Sequence, residues 1–169
     1  MRILKPYGPY RIPCEKGKKT KKVTTACAGR FWAKHPKLKR RNGCYIFGIR
    51  AAKSIKPTYV GKATKSFGKE IFTVDKLHKY QVCLADHSFG TPIVFLVALP
   101  KAKGPTKASL IAKVERELIA VAKRRNKKLM NKQNAKGPSW CISGVIRPPA
   151  GKPPTAGIEL RHCLGLGVV

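Results

Sequence analysis

Negative charge is what this chain has least of. Asp and Glu together number 7 in 169 residues, against 37 Lys plus Arg, for a formal net charge of +30. Such an excess repels itself in a compact state unless a polyanion or salt screens it. Nucleic acid is the foremost polyanion, because neutralised phosphates release counterions and so favour binding. An anionic membrane fits less well, since the basic residues are scattered rather than gathered on one amphipathic face. Long apolar runs are missing too: the longest, Ile93 to Leu99, has seven residues, against about 20 needed to cross a bilayer. Met1 to Pro13 carries Pro6, Pro9 and Pro13 and no apolar run, which argues against a secretory signal or an amphipathic transit helix. Six cysteines, at 14, 27, 44, 83, 141 and 163, include no CxxC pair. That spacing argues against structural zinc and favours reduced thiols. The expectation is a cytoplasmic chain. Neither an internal repeat nor a heptad pattern is present.

What the chain does have is 43% hydrophobic and 8% aromatic residues, too many for a disordered basic tail. Its length suits one domain burying roughly 70% of its unfolded surface. Residues 1–42 read as a basic arm, with KGKKTKK at 16–22 and KLKRR at 37–41. Phe31 and Trp32, between those runs, either anchor the arm by packing or stack on a base. A core is expected over 43–135. It opens with a strand at 43–49, a basic loop RAAKSIKP, and a second strand at 58–61. Phe67, Ile71, Val74 and Leu77 recur at helical spacing within 67–80, and Thr91 to Leu99 reads as a buried central strand. Lys107 to about Lys123 is the clearest helix. A C-terminal extension, 136–169, adds a strand at 140–146, the loop RPPAGKPP and a short helix near 156–164, packed on the core. The expected fold is α/β: a small mixed, mainly antiparallel three-stranded sheet flanked by helices.

With so few carboxylates, each can be weighed. On a wheel of about 100° per residue, Ile111, Ala122, Ile119 and Leu118 all fall within about 60° of Glu115, whereas Glu117 points to solvent. A carboxylate on an apolar face requires a cation, a metal or a hydrogen-bond network. A buried Glu–Lys or Glu–Arg pair and a functional carboxylate are equally consistent with the wheel.

Gly43-Cys44-Tyr45, then Tyr59-Val60-Gly61, resemble the paired strand motifs of the GIY-YIG nuclease family. Glu115 followed by Leu118 and Ile119 is similar to that family's Glu-x-x-Leu-Ile helix. Asn131, after KKLM, matches the Asn that usually ends the domain. The resemblance covers roughly residues 43–131. It implies hydrolysis of phosphodiester bonds, with Mg²⁺ or Mn²⁺ held by Glu115, Tyr45 positioning or deprotonating the attacking water, and Tyr59 at the phosphate or its water network. A single carboxylate suffices for Mg²⁺, which keeps several waters and takes substrate phosphate oxygens. The family's Arg on the helix after its second motif has no counterpart, because no Arg lies between Arg50 and Arg116. Aligning Phe67 with the family's Phe puts Glu70 at the Arg position with Lys69 beside it. Lys69 is therefore the expected substitute, with Lys62, Lys65 and Lys76 as further contacts to nucleic acid along with Asn131. A lysine lacks the bidentate fork of Arg. Glu70 either pairs with one of these lysines or joins the metal, and His78 is a late candidate for the family's helical His.

GKATKSFGKE is not a phosphate loop, its glycines being too far apart. Asp86-His87-Ser88 holds triad residue types, but neighbours in sequence cannot easily converge on one reacting atom. The expected function is a metal-dependent endonuclease acting on double-stranded DNA, either dimerising or reorienting to cut both strands. The alternative is a non-catalytic nucleic-acid-binding protein, as in a ribonucleoprotein.

Overall fold

A computed structural model describes residues 2–17, 20–87, 90–100, 105–131, 140–146 and 151–166. Lys18 and Lys19 of the first basic run, Ser88, residues 132–135 of the expected core, and residues 136–139 and 147–150 of the expected extension lie outside the described residues. In chain order the elements are β1 (Arg2–Arg11), β2 (Glu15–Lys16), β3 (Lys21–Lys22), α1 (Thr25–Lys34) and α2 (Pro36–Lys39). There follow β4 (Gly43–Ala51), β5 (Ser54–Ala63), α3 (Phe67–Glu70), α4 (Val74–Ala85) and β6 (Thr91–Ala98), then α5 (Ala108–Arg125), β7 (Trp140–Ile142) and α6 (Thr155–Cys163).

The fold is α/β, with a mixed five-stranded sheet of order β5-β4-β6-β1-β7 and a separate β2-β3 pair. The expectation of three strands is corrected here. The antiparallel trio β5, β4 and β6 is as expected, but β1 adds antiparallel to β6 and β7 parallel to β1. Residues read as an arm thus supply a strand inside the sheet. Pro6, Gly8 and Pro9 argue against a strand by propensity, and the sheet accommodates them with a register irregularity between Tyr7 and Tyr10. Gly8 sits there at φ +112°, and a Cβ on it would come within 2.8 Å of the Val94 carbonyl oxygen.

Alternation along the strands divides the core into two layers. Cys44, Ile46, Val60, Phe95 and Val97 meet Ile111, Val114, Leu118 and Ala122 of α5 and Leu160 of α6. Tyr45, Phe47, Tyr59, Val94 and Leu96 meet Cys27, Phe31 and Trp32 of α1, Phe67 of α3 and Tyr80 and Leu84 of α4. Covering both faces explains why Thr91–Leu99 reads as one continuous apolar run.

Two local expectations change. The stretch 50–57, read as a loop, is strand: Arg50 pairs with Ile55 and Ala51 with Ser54, leaving a two-residue turn at Ala52-Lys53. Ala52 adopts φ +49°, a conformation normally signalled by Asn or Gly, so this turn carries no signature. The helix expected at 67–80 is two helices. Ser66 caps α3 by accepting a hydrogen bond from the Lys69 amide at 3.3 Å, and α4 starts afresh after Thr73.

Since β5 is an edge strand, its outer backbone needs partners other than a strand. The segment after α5 supplies them. The Asn126 side-chain amide donates to the Pro57 carbonyl at 2.8 Å, and the Met130 amide donates to the Thr58 carbonyl at 3.2 Å. Asn131 donates to the Val60 carbonyl at 2.7 Å and accepts from the Val60 amide at 2.9 Å. At the other end of α5, buried Asn42 donates to the carbonyls of Thr64 and Thr106, at 3.0 and 2.8 Å, and accepts from the Thr106 amide at 2.8 Å. These contacts fix the helix that carries Glu115 against the strand that carries Tyr59. Replacing Asn131 with Ala is expected to lower unfolding free energy by about 1–3 kcal/mol, the cost of leaving a partly buried amide and carbonyl unsatisfied, as measured by urea denaturation.

Candidate active site

Tyr45 lies directly opposite Gly61 in the β4–β5 ladder, and its ring is 6.0 Å from that of Tyr59. The phenol passes over Gly61. A Cβ there would collide with the Tyr45 Cζ and Oη, which is the physical reason for glycine at the end of Tyr59-Val60-Gly61. The Tyr45 hydroxyl is buried and makes no hydrogen bond of ordinary length and angle among the described residues, its polar neighbours being the Tyr59 and Tyr80 phenols. Burial, reinforced by the neighbouring Tyr80 and Tyr59 phenols, pushes its pKa far above the usual phenol range. Tyr45, 0% exposed, therefore stays a neutral phenol and does not serve as a phenolate base.

Behind it, the Tyr80 hydroxyl donates to the Ile71 carbonyl at 2.7 Å, and the Tyr80 ring stacks on Phe47 at 4.1 Å. Tyr59 is closer to the surface. Lys76 and Lys79 of α4 place their ammonium groups 5.4 and 5.3 Å from its ring centroid, and both bind Asp75, at 3.0 and 3.2 Å. Burial pulls the Lys76 pKa down, but the Tyr59 hydroxyl and Asp75 more than offset it, so the ammonium form is favoured.

Glu115 belongs to the other layer. Its side chain is 13% exposed and forms an ion pair with the Lys62 ammonium at 2.9 Å, the Lys62 side chain being 47% exposed. The Cys44 thiol lies in the same environment. Burial raises its pKa well above the ordinary value, Glu115 adds to the shift and Lys62 opposes it, so this thiol is not a nucleophile. The wheel placed Glu115 on the apolar face correctly, and of the two possibilities left open the structure provides the Glu–Lys pair. Glu117 differs from the wheel: it is half-buried, with Oε1 enclosed and unpartnered among the described residues.

The remaining expected residues are spread over several elements. The Lys65 amide donates to the Glu70 carboxylate, so Glu70 closes its own turn and is not brought to Glu115. Lys65 is exposed, and His78 is exposed on α4. Lys69 faces a separate cleft with residues of α1 and α2. Asn131 spends its side chain on the Val60 backbone. The structure thus brings together two separate groups, Tyr45, Tyr59 and Lys76 on one face of the β4–β5 hairpin and Lys62 with Glu115 on the other. Asn42 carried no motif, and only its place just before the first strand hinted at a boundary role.

Among the described residues no group of three or more His, Cys, Asp or Glu can hold a metal. Glu115 fits the more modest arrangement in which one carboxylate, water and substrate phosphate oxygens complete the shell. The Lys62 ammonium competes for that carboxylate, and its half-exposed stem allows it to leave. Replacing Gly61 with Ala is expected to lower stability by about 1–3 kcal/mol through displacement of the Tyr45 ring. The same substitution should cost less in a Tyr45→Leu background, as read from denaturant midpoints of the four proteins. No family model, curated protein or solved structure matches this chain.

Proposed function

We propose that this protein is a metal-dependent nuclease of the GIY-YIG type, hydrolysing phosphodiester bonds in DNA. The observation that supports the reading is the pair of features flanking Gly61-Lys62 on the two faces of β5. There an unpartnered phenol crosses a glycine on one side, and a largely buried carboxylate is held by a movable lysine on the other. Ordinary packing does not require a buried hydroxyl without a partner, which costs about 1–3 kcal/mol.

Glu115 is the residue that would hold Mg²⁺ or Mn²⁺, an ion that supplies Lewis acidity and lowers the pKa of bound water. Tyr45, as a neutral phenol, orients the attacking water or a non-bridging oxygen through its free hydroxyl. Tyr59, flanked by Lys76 and Lys79, faces the phosphate with two ammonium groups beside it. Lys62 moves from Glu115 to the phosphodiester as it arrives and offsets its charge. In this arrangement the place left by the family's Arg is taken by a point charge on β5, without bidentate recognition.

A second reading has its own support. The 2.9 Å Lys62–Glu115 pair satisfies the carboxylate without a metal, as in a nucleic-acid-binding protein that does not cut.

With millimolar Mg²⁺ or Mn²⁺, the wild-type protein is expected to nick supercoiled plasmid, and chelation should abolish the nicking. Glu115→Ala and Tyr45→Phe should each lower the rate by about 100-fold or more, on the scale of losing an electrostatic or positioning group, while duplex affinity changes less than about threefold. A clean wild-type preparation that binds DNA and RNA but cuts neither would refute the nuclease and leave the binding protein.

A further inference from the structure

α1, α2 and α3, on the face of the sheet away from Glu115, enclose a cleft of about 1030 Å³. Lys37, Lys39, Arg40, Arg41 and Lys69 line it, and no acidic side chain does. Lys37, Lys39, Arg40 and Lys69 are exposed, and none of them enters an ion pair among the described residues. Deeper in the wall, Arg41 lies 4.9 Å above the Tyr7 ring, with its Nη2 buried and unpartnered. Trp32, 6% exposed, likewise has an enclosed and unpartnered Nε1.

Gathering five cations without a counter-charge is unfavourable unless an anion completes the site. None of the chain's acids lines the cleft, and Glu70, next to Lys69 in α3, turns to the Lys65 amide. Glu15, Asp75, Glu115 and Glu159 each pair with cations that are not part of the cleft. The anion's chemistry follows from what else is absent. Trp32 is packed edge-on against Phe31 and Phe72, at 4.9 and 5.8 Å, so the cleft offers no open ring on which a base can stack. None of the exposed large apolar side chains among the described residues (Ile3, Val74, Val82, Met130 and Ile158) lines the cleft, so it lacks the apolar insertion that accompanies membrane binding. Charge without stacking reads phosphates and not bases.

We propose that this cleft grips the phosphodiester backbone of nucleic acid without regard to sequence, through Lys37, Lys39, Arg40 and Lys69, at a site separate from Glu115. The proposal rests on the nucleic-acid part of the function above and not on its chemistry. Lys69 is thereby a phosphate contact of the grip and not the residue that replaces the family's Arg. An adjoining cavity of about 560 Å³ shares Ala33 and adds Arg11 and Lys34 to the basic track around α1, with Arg30 there paired to Glu15.

The test is duplex binding in chelator, where cutting cannot contribute. Fluorescence anisotropy with a labelled oligonucleotide duplex is followed as a function of salt for three proteins: wild type, a cleft triple variant (Lys37→Ala, Arg40→Ala and Lys69→Ala) and a control triple variant (Lys113→Ala, Arg116→Ala and Arg124→Ala). Both variants lose three charges from exposed positions. The cleft variant should bind about tenfold or more weakly at 0.1 M salt, and its slope of log affinity against log salt should fall by about 2–3, or ~0.9 for each lost phosphate contact. The control should stay within about threefold of wild type. Equal losses in the two variants would reduce the effect to the overall field and overturn the proposal. So would a cleft variant that keeps its duplex affinity but no longer binds phosphatidylserine vesicles. Lysine acetylation of the wild-type protein guards against a folding defect in the variant: bound duplex should protect Lys37, Lys39 and Lys69 more than Lys113 and Lys123, and uniform protection would count against the cleft. Plasmid nicking is scored separately, so loss of the grip and absence of cutting give different results.

Discussion

The seam between β5 and α5 is the constraint on which the candidate site depends. A strand at the rim of a sheet leaves a row of amides and carbonyls to be satisfied, and here side chains and loop backbone do what a sixth strand would. Asn126, Met130 and Asn131 bind the carbonyls of Pro57, Thr58 and Val60 and the Val60 amide. Asn42 holds the lead into α5 against the end of β5, and Lys62 reaches Glu115 between these anchors. One set of polar contacts thereby closes the edge, sets the height of the helix and brings the carboxylate to the Lys62 ammonium.

Scarcity of acid gives this seam its chemical character. In a chain of net charge +30, a carboxylate on an apolar helix face has many potential cations, and the one it meets is at the end of the strand that bears the second tyrosine. Such a pair is modest in energy, because Lys62 is about half exposed and solvent screens it. That modesty makes it suited to exchange, since an arriving phosphate or metal competes with a weak partner. Tyr45 complements it differently. Its hydroxyl is held without a bond by the two phenols around it and by the bare backbone of Gly61, a cost the fold offsets with a dense aromatic layer of Phe47, Tyr59, Tyr80 and Phe72.

Parts of this were legible in the sequence because local pattern and tertiary context agree. The continuous apolar run at 91–98, the amphipathic α5 and the position of Glu115 on its buried face all follow from spacing alone. The hairpin strands were seen but cut short, because Ala52-Lys53 makes a tight turn without the residues that usually mark one. β1 was hidden for the opposite reason: Pro6, Gly8 and Pro9 signal a non-strand, and only pairing with β6 shows that a register irregularity absorbs them. Phe31 and Trp32, read as either anchors or stacking rings, are buried anchors, and β1, α1 and α2 of the expected arm become part of the sheet and its covering helices. The partner of Glu115 was illegible in principle, since 37 Lys and Arg leave the choice of cation to the three-dimensional register. The same holds for the cleft at Lys37, Arg40 and Lys69, whose two walls come from segments about thirty residues apart.

In the proposed function, the Lys62 ammonium gives up the Glu115 carboxylate to a divalent ion. Water-proton relaxation during Mn²⁺ titration reports that exchange directly, apart from any cleavage. One Mn²⁺ site is expected in the wild-type protein, with its loss in Glu115→Gln and tighter binding in Lys62→Met, where the competing ammonium is gone. A wild-type protein without a Mn²⁺ site, or one whose site is indifferent to Glu115→Gln, would contradict that exchange.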